Sequence, residues 1–168
     1  RIPRIELPFG EHSAQPALAH RELTNLYAID REYPLHIDWT AKNRLNRFMA
    51  FLNVEGSWEA FAEQIEPQLA ERDVDATLGH HSFRFLLPPE EHFAEHPSAH
   101  AQWYALIDGE RNPDGQLCTS NPEVAERCAE RICELFDAHP SVEMFGLWPN
   151  DGFRWCECEE CARLEEQR

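Results

Sequence analysis

Four apolar runs rich in β-prone residues alternate with amphipathic helical patterns, and this alternation constrains the fold more than any other feature. The runs are "NLYAID" at 25–30, "RFMAFLN" at 47–53, "DATLGHH" at 75–81 and "VEMFGLWPND" at 142–151. A strand that is separated from the next by a helix reaches a parallel neighbour through a long, right-handed crossover. The sequence therefore predicts an α/β protein with a parallel sheet.

Two of the intervening segments carry strong helix signals. In the first, Ser57 is placed to cap a helix that Pro67 should kink or shorten. Its apolar side chains repeat at helical spacing; they are Trp58, Phe61, Ile65 and Leu69. In the second, Asn121 is the expected N-cap and Pro140 ends the helical pattern.

Two further segments have weaker helical patterns. In "DWTAKNRLN" the expected N-cap is Asp38, since aspartate commonly caps helices. Residues 88–104 are also predicted to be helical, with an interruption near Pro97.

Polar side chains follow the end of every apolar run, and they favour a barrel. They are Asp30, Asn53, His80 with His81, and Asn150 with Asp151. Barrel enzymes assemble their active sites from such residues at the carboxyl ends of several strands. A phosphate-binding open sheet would show a glycine-rich turn after its first strand, which "YAIDREYPLHID" lacks, and we expect no organic cofactor.

The preferred architecture is therefore a (β/α)8 TIM-barrel-like fold, with about the first four β/α units present in this chain. Residues 1–168 would form a single partial barrel domain, because a complete barrel typically needs about 250 residues. The remaining units would be missing from the chain, or supplied by association with another chain.

Asp151 is the best single candidate for a catalytic residue. It follows Asn150 just beyond the fourth run, where many barrel glycosidases carry a general acid or a carboxylate that holds substrate. The alternative is that "PNDG" is a turn in which both side chains bond only to their own backbone, since these four residue types favour turns.

Five other residues are candidates for binding substrate, and one of them is Asn150, which precedes Asp151. His80 and His81 end an aliphatic strand, and side-chain alternation should direct one of them to the barrel mouth and the other into packing. Asn53 is either a substrate contact or a turn residue. Trp148 is either a stacking platform for a sugar ring or a core residue.

The cysteines fall into two groups. Cys156, Cys158 and Cys161 have the spacing C-x-C-x-x-C, and Cys118 could complete a four-thiolate zinc site of the closed, structural type. Disulfides in an oxidising compartment and free thiols remain alternatives. The other two cysteines, Cys128 and Cys133, lie in a helical pattern and are expected to pack as free thiols.

Charge and hydropathy exclude two classes of partner. The chain has 31 acidic and 15 basic residues and a formal net charge of -16, so it would repel the phosphates of a nucleic acid. No apolar stretch approaches the roughly 20 residues that cross a bilayer. We therefore expect neither a nucleic acid nor a membrane partner.

Several motifs, in order along the chain, carry a family resemblance. They are "DWTAKNRLNRF", "QLC", "NPEV", "PNDG" and C-x-C-x-x-C. In this combination the chain resembles the bacterial domain-of-unknown-function 4838 family, part of which is classed as glycoside hydrolase family 163. The resemblance covers most of the chain, although this chain stops soon after the fourth predicted strand.

The resemblance implies a glycosidase-like barrel, often behind an accessory domain and in proteins that bacteria export, including to the periplasm. It also implies action on glycans that contain β-linked N-acetylglucosamine, by substrate-assisted hydrolysis. In that mechanism the substrate's acetamido group is the nucleophile, one carboxylic acid protonates the leaving oxygen and another carboxylate orients the acetamido group. Asp151 would be one of these two groups.

Two rival functions follow from the same residues. The chain could be a carbohydrate-binding domain without catalysis, or an interaction domain organised by zinc. A β-N-acetylglucosaminidase activity is expected only if the full barrel is assembled.

Overall fold

The computed structural model describes residues 10, 13–24, 32–51, 58–93, 97–152 and 154–167. The first predicted strand, which ends at Asp30, lies outside these residues. The candidate substrate residue Asn53, the predicted cap Ser57 and the side chain of Phe61 also lie outside the described part.

Four parallel strands form the main sheet, and two antiparallel strands form a hairpin. The strands are β1 (Glu22–Thr24), β2 (Arg47–Phe51), β3 (Asp75–Gly79), β4 (Tyr104–Ile107), β5 (Glu110–Leu117) and β6 (Val142–Phe145). The main sheet has the order β1-β2-β3-β6, so each strand lies beside the one that precedes it in that sheet. The predicted α/β class and parallel pairing are confirmed.

Seven α-helices and one 3-10 turn connect or follow the strands in the described part of the chain. The helices are α1 (Tyr33–Lys42), α2 (Trp58–Glu71), α3 (Phe83–Leu86), α4 (Pro89–His92), α5 (Pro97–His100), α6 (Pro122–Ala138) and α7 (Glu159–Glu166), and the 3-10 turn is Ala101–Trp103. The α6 prediction is confirmed, because the Asn121 side chain accepts a hydrogen bond from the backbone of Glu123 at 3.0 Å. No helix in the described residues combines the length and apolar content needed to cross a membrane.

One helix prediction is wrong, and the shortening predicted for a second helix does not occur. Asp38 is not an N-cap, because α1 begins five residues earlier at Tyr33 and Asp38 forms an ion pair with Lys42 within that helix. Pro67 does not shorten α2, which continues to Glu71. The stripe side chains Trp58, Ile65 and Leu69 are buried on both sides of the proline, and their burial offsets the roughly 3 kcal/mol that an interior proline costs.

The hairpin replaces the end of the helix predicted over residues 88–104. That segment contains only α4, α5 and the 3-10 turn in its described part, and Tyr104 already belongs to β4. Asp108 and Gly109 connect β4 to β5 with φ values of 52° and 82°. An Asp-Gly pair favours this left-handed hairpin turn, and it is a sequence signal that the helical reading missed.

Two apolar clusters hold the elements together. The first joins the main sheet to α1 and α2, and the second joins the hairpin to α3 and α6. Phe85 and Phe145 pack against both clusters. The carboxyl end of β6 therefore lies where the sheet meets the hairpin, and this position brings the candidate site together.

Candidate functional site

The carboxyl ends of β3 and β6 approach each other closely because both carry glycine. The Gly146 backbone N–H donates to the Leu78 carbonyl at 2.6 Å. A Cβ atom added at Gly79 would lie 2.8 Å from the Cα atom of Gly146, closer than real side chains allow. Glycine at these strand ends lets the two loops that follow lie in contact.

The loop after β6 is fixed to the loop after β3 by backbone hydrogen bonds. Ser82 is fully buried, and its N–H donates to the Trp148 carbonyl at 3.0 Å. Its hydroxyl accepts from the Trp148 N–H at 3.1 Å. The Trp148 side chain remains 47% exposed, with its ring 5.5 Å from that of His80. Trp148 is therefore not a core residue, and its indole is open to a ligand.

His81 contacts this loop through both ring nitrogens. Nδ1 lies 2.7 Å from the Pro149 carbonyl oxygen, and Nε2 lies 3.1 Å from Oδ1 of Asp151. A carbonyl oxygen only accepts hydrogen bonds, so Nδ1 carries a proton. Nε2 faces the Asp151 carboxyl group at the distance of a charge contact. His81 and Asp151 thus form a pair in direct contact.

The two members of this pair differ in exposure. The His81 side chain is 17% exposed and the Asp151 side chain is 92% exposed. Solvent or a ligand can therefore reach Asp151 directly, while the more buried His81 ring is held by its contact with the Pro149 carbonyl. Side-chain atoms that combine a fixed base with an open carboxyl group are suited to proton transfer at a bound ligand.

The His80 ring packs edge-on against that of His81, and the His80 backbone has an unusual conformation. Its φ is 64°, in the left-handed region, and its ring lies 3.7 Å from that of His81. Burial lowers the pKa of His80, and the neighbouring His81 lowers it further, against the opposing effect of Asp151. His80 therefore favours its neutral form, which can both donate and accept hydrogen bonds.

Asn150 is held through its backbone by a residue that the sequence analysis missed. Gln116, which is 1% exposed, accepts from the Asn150 N–H at 2.9 Å and donates to the Asn150 carbonyl at 2.7 Å. A polar residue at a buried position of an otherwise apolar strand end was the available signal, in the "QLC" motif. We use the name strand-end face for His80, His81, Trp148, Asn150 and Asp151.

The second site is the four-cysteine cluster, formed by Cys118, Cys156, Cys158 and Cys161. The four sulfur atoms lie within 4.8 Å of one another. Cys118 Sγ is 3.7 Å from Cys158 Sγ and 3.9 Å from Cys161 Sγ. A tetrahedral zinc ion with Zn–S bonds of about 2.3 Å requires sulfur atoms about 3.8 Å apart. The donor set and its spacing therefore fit a metal ion.

Local structure explains how the four cysteines meet. Cys118 directly follows β5, and Cys158 precedes the first residue of α7, which also contains Cys161. The segment before α7 runs along the hairpin, since the Gln116 N–H donates to the Arg154 carbonyl at 2.9 Å. The Glu157 N–H likewise donates to the Leu106 carbonyl at 2.8 Å.

Hydrogen-bonding groups surround the sulfur atoms. Ser120 Oγ accepts from Cys161 Sγ at 3.1 Å and lies 3.5 Å from the sulfur atoms of both Cys118 and Cys158. The fourth sulfur, that of Cys156, is 3.3 Å from the Leu106 N–H donor and 3.8 Å from a guanidinium nitrogen of Arg111. Donors of this kind stabilise thiolates, which are the forms that bind metal.

The pKa values of two thiols in the cluster, those of Cys156 and Cys158, shift in opposite directions. Burial raises the pKa of Cys158, but hydrogen bonds from Ser120, from the Cys161 backbone and from neighbouring thiols outweigh it and lower the value to about 6. Burial raises the pKa of Cys156 to about 12. Loss of one proton from a shared volume makes loss of the next harder. A cation is what would stabilise all four thiolates together.

The two remaining cysteines lie outside the cluster. Cys128 is buried in α6, where burial raises its pKa to about 11, so its predicted packing role is confirmed. Cys133 is exposed on the same helix, and the prediction that it packs is wrong. The helix turns Cys133 toward solvent because only one of its faces is apolar.

Comparisons with known proteins place both sites within one family match. A family model described as a domain of unknown function, DUF4838, matches residues 3–168. No curated protein matches the chain. The matched span includes the whole strand-end face and all four cysteines of the cluster.

Proposed function

The chain belongs to the DUF4838 family, and on that premise we propose a glycoside-hydrolase-like domain that binds N-acetylglucosamine-containing glycans at the strand-end face. The observation that carries the proposal is the contact of 3.1 Å between His81 Nε2 and Asp151 Oδ1. It joins a held imidazole to an exposed carboxyl group at the carboxyl ends of parallel strands. That is the edge at which α/β and barrel enzymes bind their substrates.

Strand order supports the barrel form of this proposal. The order β1-β2-β3-β6 adds every strand to the same side, as in a barrel, whereas a doubly wound sheet reverses direction. Apolar side chains are exposed next to the last strand, with Met144 at 42% and Leu147 at 51%. Further β/α units, from another chain or from other parts of a longer protein, would cover them.

The strand-end face has suitable residues for several parts of substrate-assisted hydrolysis. The exposed Trp148 ring would stack on the apolar face of a sugar. His80 and Asn150 would hold hydroxyl groups. Asp151 would protonate the leaving oxygen or orient the acetamido group, and His81 would hold its carboxyl group and share its proton. The second carboxylate is not among the residues we assign.

We propose that the four-cysteine cluster holds a structural zinc ion. The support is the sulfur spacing of 3.7 and 3.9 Å together with a donor set of four thiols. Four thiolates would fill the coordination sphere and leave no place for a catalytic water. Zinc would brace the segment that follows Asp151, without taking part in the reaction.

The test is replacement of Asp151 by Asn in the protein with its barrel complete. Hydrolysis of an aryl β-N-acetylglucosaminide should fall by roughly 100- to 10,000-fold, the range for loss of an acid catalyst. Asp137→Asn is the matched control, because it removes an exposed carboxylate from α6, away from the face. Unchanged hydrolysis in Asp151→Asn would remove Asp151 from the mechanism.

The same assay separates the proposal from its main rival. A carbohydrate-binding domain without catalysis would bind the glycan, as measured by calorimetry, and show no turnover with either Asp or Asn at position 151. The exposed Trp148 indole favours this rival, since such rings also serve binding alone. Trp148→Ala should weaken binding under both functions, so only turnover distinguishes them.

A further inference from the structure

We propose that Gln116 is a positioning residue that holds Asp151 against His81 and joins this pair to the four-cysteine cluster. The role of Asp151 in substrate chemistry rests on the proposed function. The mechanical link does not, since it depends only on hydrogen bonds within the chain. The two can therefore fail separately.

Gln116 fixes both ends of the segment that carries Asp151. Its side-chain amide makes two hydrogen bonds to the backbone of Asn150, at 2.9 and 2.7 Å. Its backbone N–H donates to the carbonyl of Arg154 at 2.9 Å. One residue, itself 1% exposed, thus sets where the segment leaves the strand-end face and where it joins the hairpin.

Asp151 depends on this support because little else holds it. Its side chain is 92% exposed and contacts His81 at 3.1 Å. Pro149 and Trp148 fix the chain before it, through His81 Nδ1 and Ser82. A carboxyl group at the tip of an exposed segment keeps one position only if the backbone on both sides is held.

Gln116 and Arg154, which are joined by a backbone hydrogen bond, both lie close in sequence to cysteines of the four-cysteine cluster. Cys118 lies two residues after Gln116, and Cys156 lies two residues after Arg154. A metal ion bound by both Cys118 and Cys156 would therefore hold together the two segments that the hydrogen bond between Gln116 and Arg154 joins. If metal binding strengthens the Asp151–His81 contact, then by thermodynamic reciprocity that contact strengthens metal binding by the same factor.

A buried amide could instead serve only the stability of the hairpin. The two roles differ in what happens at His81, which has no hydrogen bond with Gln116 in the described part of the chain. If Gln116 only supports the fold, its loss lowers stability and leaves the His81 ring environment unchanged. If it positions Asp151, its loss changes that environment.

The experiment records the ¹⁵N NMR signals of the His81 ring in the whole chain. With Gln116 present, Nδ1 should appear protonated, and Asp151→Asn should shift the Nε2 signal. In Gln116→Leu, the Nε2 signal should move toward its Asp151→Asn position, and adding Asp151→Asn should then change it little. Such non-additivity is the signature of coupling between the two positions.

Two further variants keep the result decisive. Gln116→Glu retains the acceptor for the Asn150 N–H but loses the donor to its carbonyl, so an intermediate shift is expected even if Gln116→Leu does not fold. Gln68→Leu is the matched control, since Gln68 is an exposed amide that bonds within α2. A His81 signal that stays unchanged in the folded Gln116 variants would overturn the proposal.

The link to the cluster has its own readout in the same spectrum. Zinc added to metal-free protein should sharpen the His81 signals and move Nε2 away from its Asp151→Asn position. In Gln116→Leu the same addition should have no such effect. If zinc fails to bind, or binds and leaves His81 unchanged, the link is overturned. Absence of glycan turnover alone would count only against the proposed function.

Discussion

The four-cysteine cluster and the strand-end face lie on the same segment and are built in opposite ways. In the cluster, four like side chains converge within 4.8 Å, with the Ser120 hydroxyl group and donors from Leu106 and Arg111 around them. On the strand-end face, unlike side chains are in contact and Asp151 is 92% exposed. A zinc ion bound by four thiolates would leave no position for a further ligand, whereas the face is open to solvent.

Comparison of the cluster with the strand-end face indicates how an exposed reactive group can be kept in place. Side chains of the face are held indirectly, through the backbone of Trp148 and Asn150. Three cysteines of the cluster, Cys156, Cys158 and Cys161, lie six to eleven residues after Asn150 in the same segment. Substitutions should therefore be able to alter the cluster without altering the strand-end face, and the reverse.

The largest expected effect comes from removing a cysteine of the cluster. Cys118→Ala should abolish zinc binding and lower the free energy of unfolding by about 4 kcal/mol, the stabilisation given by a ligand at about a thousand times its dissociation constant. Urea unfolding with zinc present measures it. Cys133→Ala is the control, because this exposed thiol lies outside the cluster. Equal stability of the two variants would show that the cluster braces nothing.

The next effect concerns the approach of the two strand ends. Gly79→Ala would place a Cβ atom 2.8 Å from the Gly146 Cα atom, and such overpacking costs about 1–3 kcal/mol. We expect lower stability with zinc binding retained, measured by urea unfolding and metal analysis. Gly109→Ala would not be a suitable control, because Gly109 has a φ of 82° and a side chain there is strained for that reason alone. Loss of zinc in Gly79→Ala would mean that the two regions do not separate.

A smaller effect should follow from the hydroxyl group beside the sulfur atoms. Ser120→Ala removes a hydroxyl group that accepts from Cys161 Sγ at 3.1 Å and lies 3.5 Å from two other sulfur atoms. Loss of such a partner typically weakens metal affinity by roughly 10- to 100-fold. Competition with a chromophoric chelator measures the affinity, and Thr119→Ala is the neighbouring control on an exposed side chain. Unchanged affinity would show that Ser120 does not act on the thiolates.

The smallest effect is a change in pH dependence at the strand-end face. Burial and His81 lower the pKa of folded His80 below its ordinary 6.5. The unfolded chain therefore binds this proton first as pH falls, and the resulting loss of stability begins near pH 6.5 and levels off below the folded value. In His80→Asn, which suits the left-handed φ of 64°, that part of the loss should disappear.

Unfolding free energies at pH 7.5 and pH 5 measure this difference. Each variant is compared with wild-type protein at the same pH, so that metal release at low pH cancels as far as possible. His20→Asn is the control, because His20 is an exposed histidine away from the face. The same pH dependence in wild type and His80→Asn would show that His80 is not held in its neutral form.

Sequence patterns predicted the class and most elements, because alternation and capping are local. Asn121 capped α6 as expected, and the three described apolar runs formed parallel strands. The hairpin was missed because the Asp108–Gly109 turn was outweighed by a helical reading of the residues before it. Asp38 was misplaced as a cap because burial of Tyr33 and Ile37 extends α1 toward its amino end.

For the site, residue types and strand ends sufficed to bring His81 and Asp151 forward, and spacing sufficed for the cysteines. Partner choice did not follow from sequence. The pairing of His81 with Pro149 and Asp151, and of Gln116 with Asn150, joins residues 34 or more positions apart. Such contacts depend on how β3, β5 and β6 pack, which no local pattern encodes.

We propose that the four-cysteine cluster holds a metal ion with no open coordination position, and that the strand-end face is open to ligands. The most direct test is zinc analysis of the purified protein together with a count of reactive thiols. We predict one zinc per chain, with the thiols of Cys118, Cys156, Cys158 and Cys161 reacting only after chelation while Cys133 reacts at once. Absence of zinc, with fewer than the six thiols reacting after denaturation, would mean disulfides and would contradict the claim.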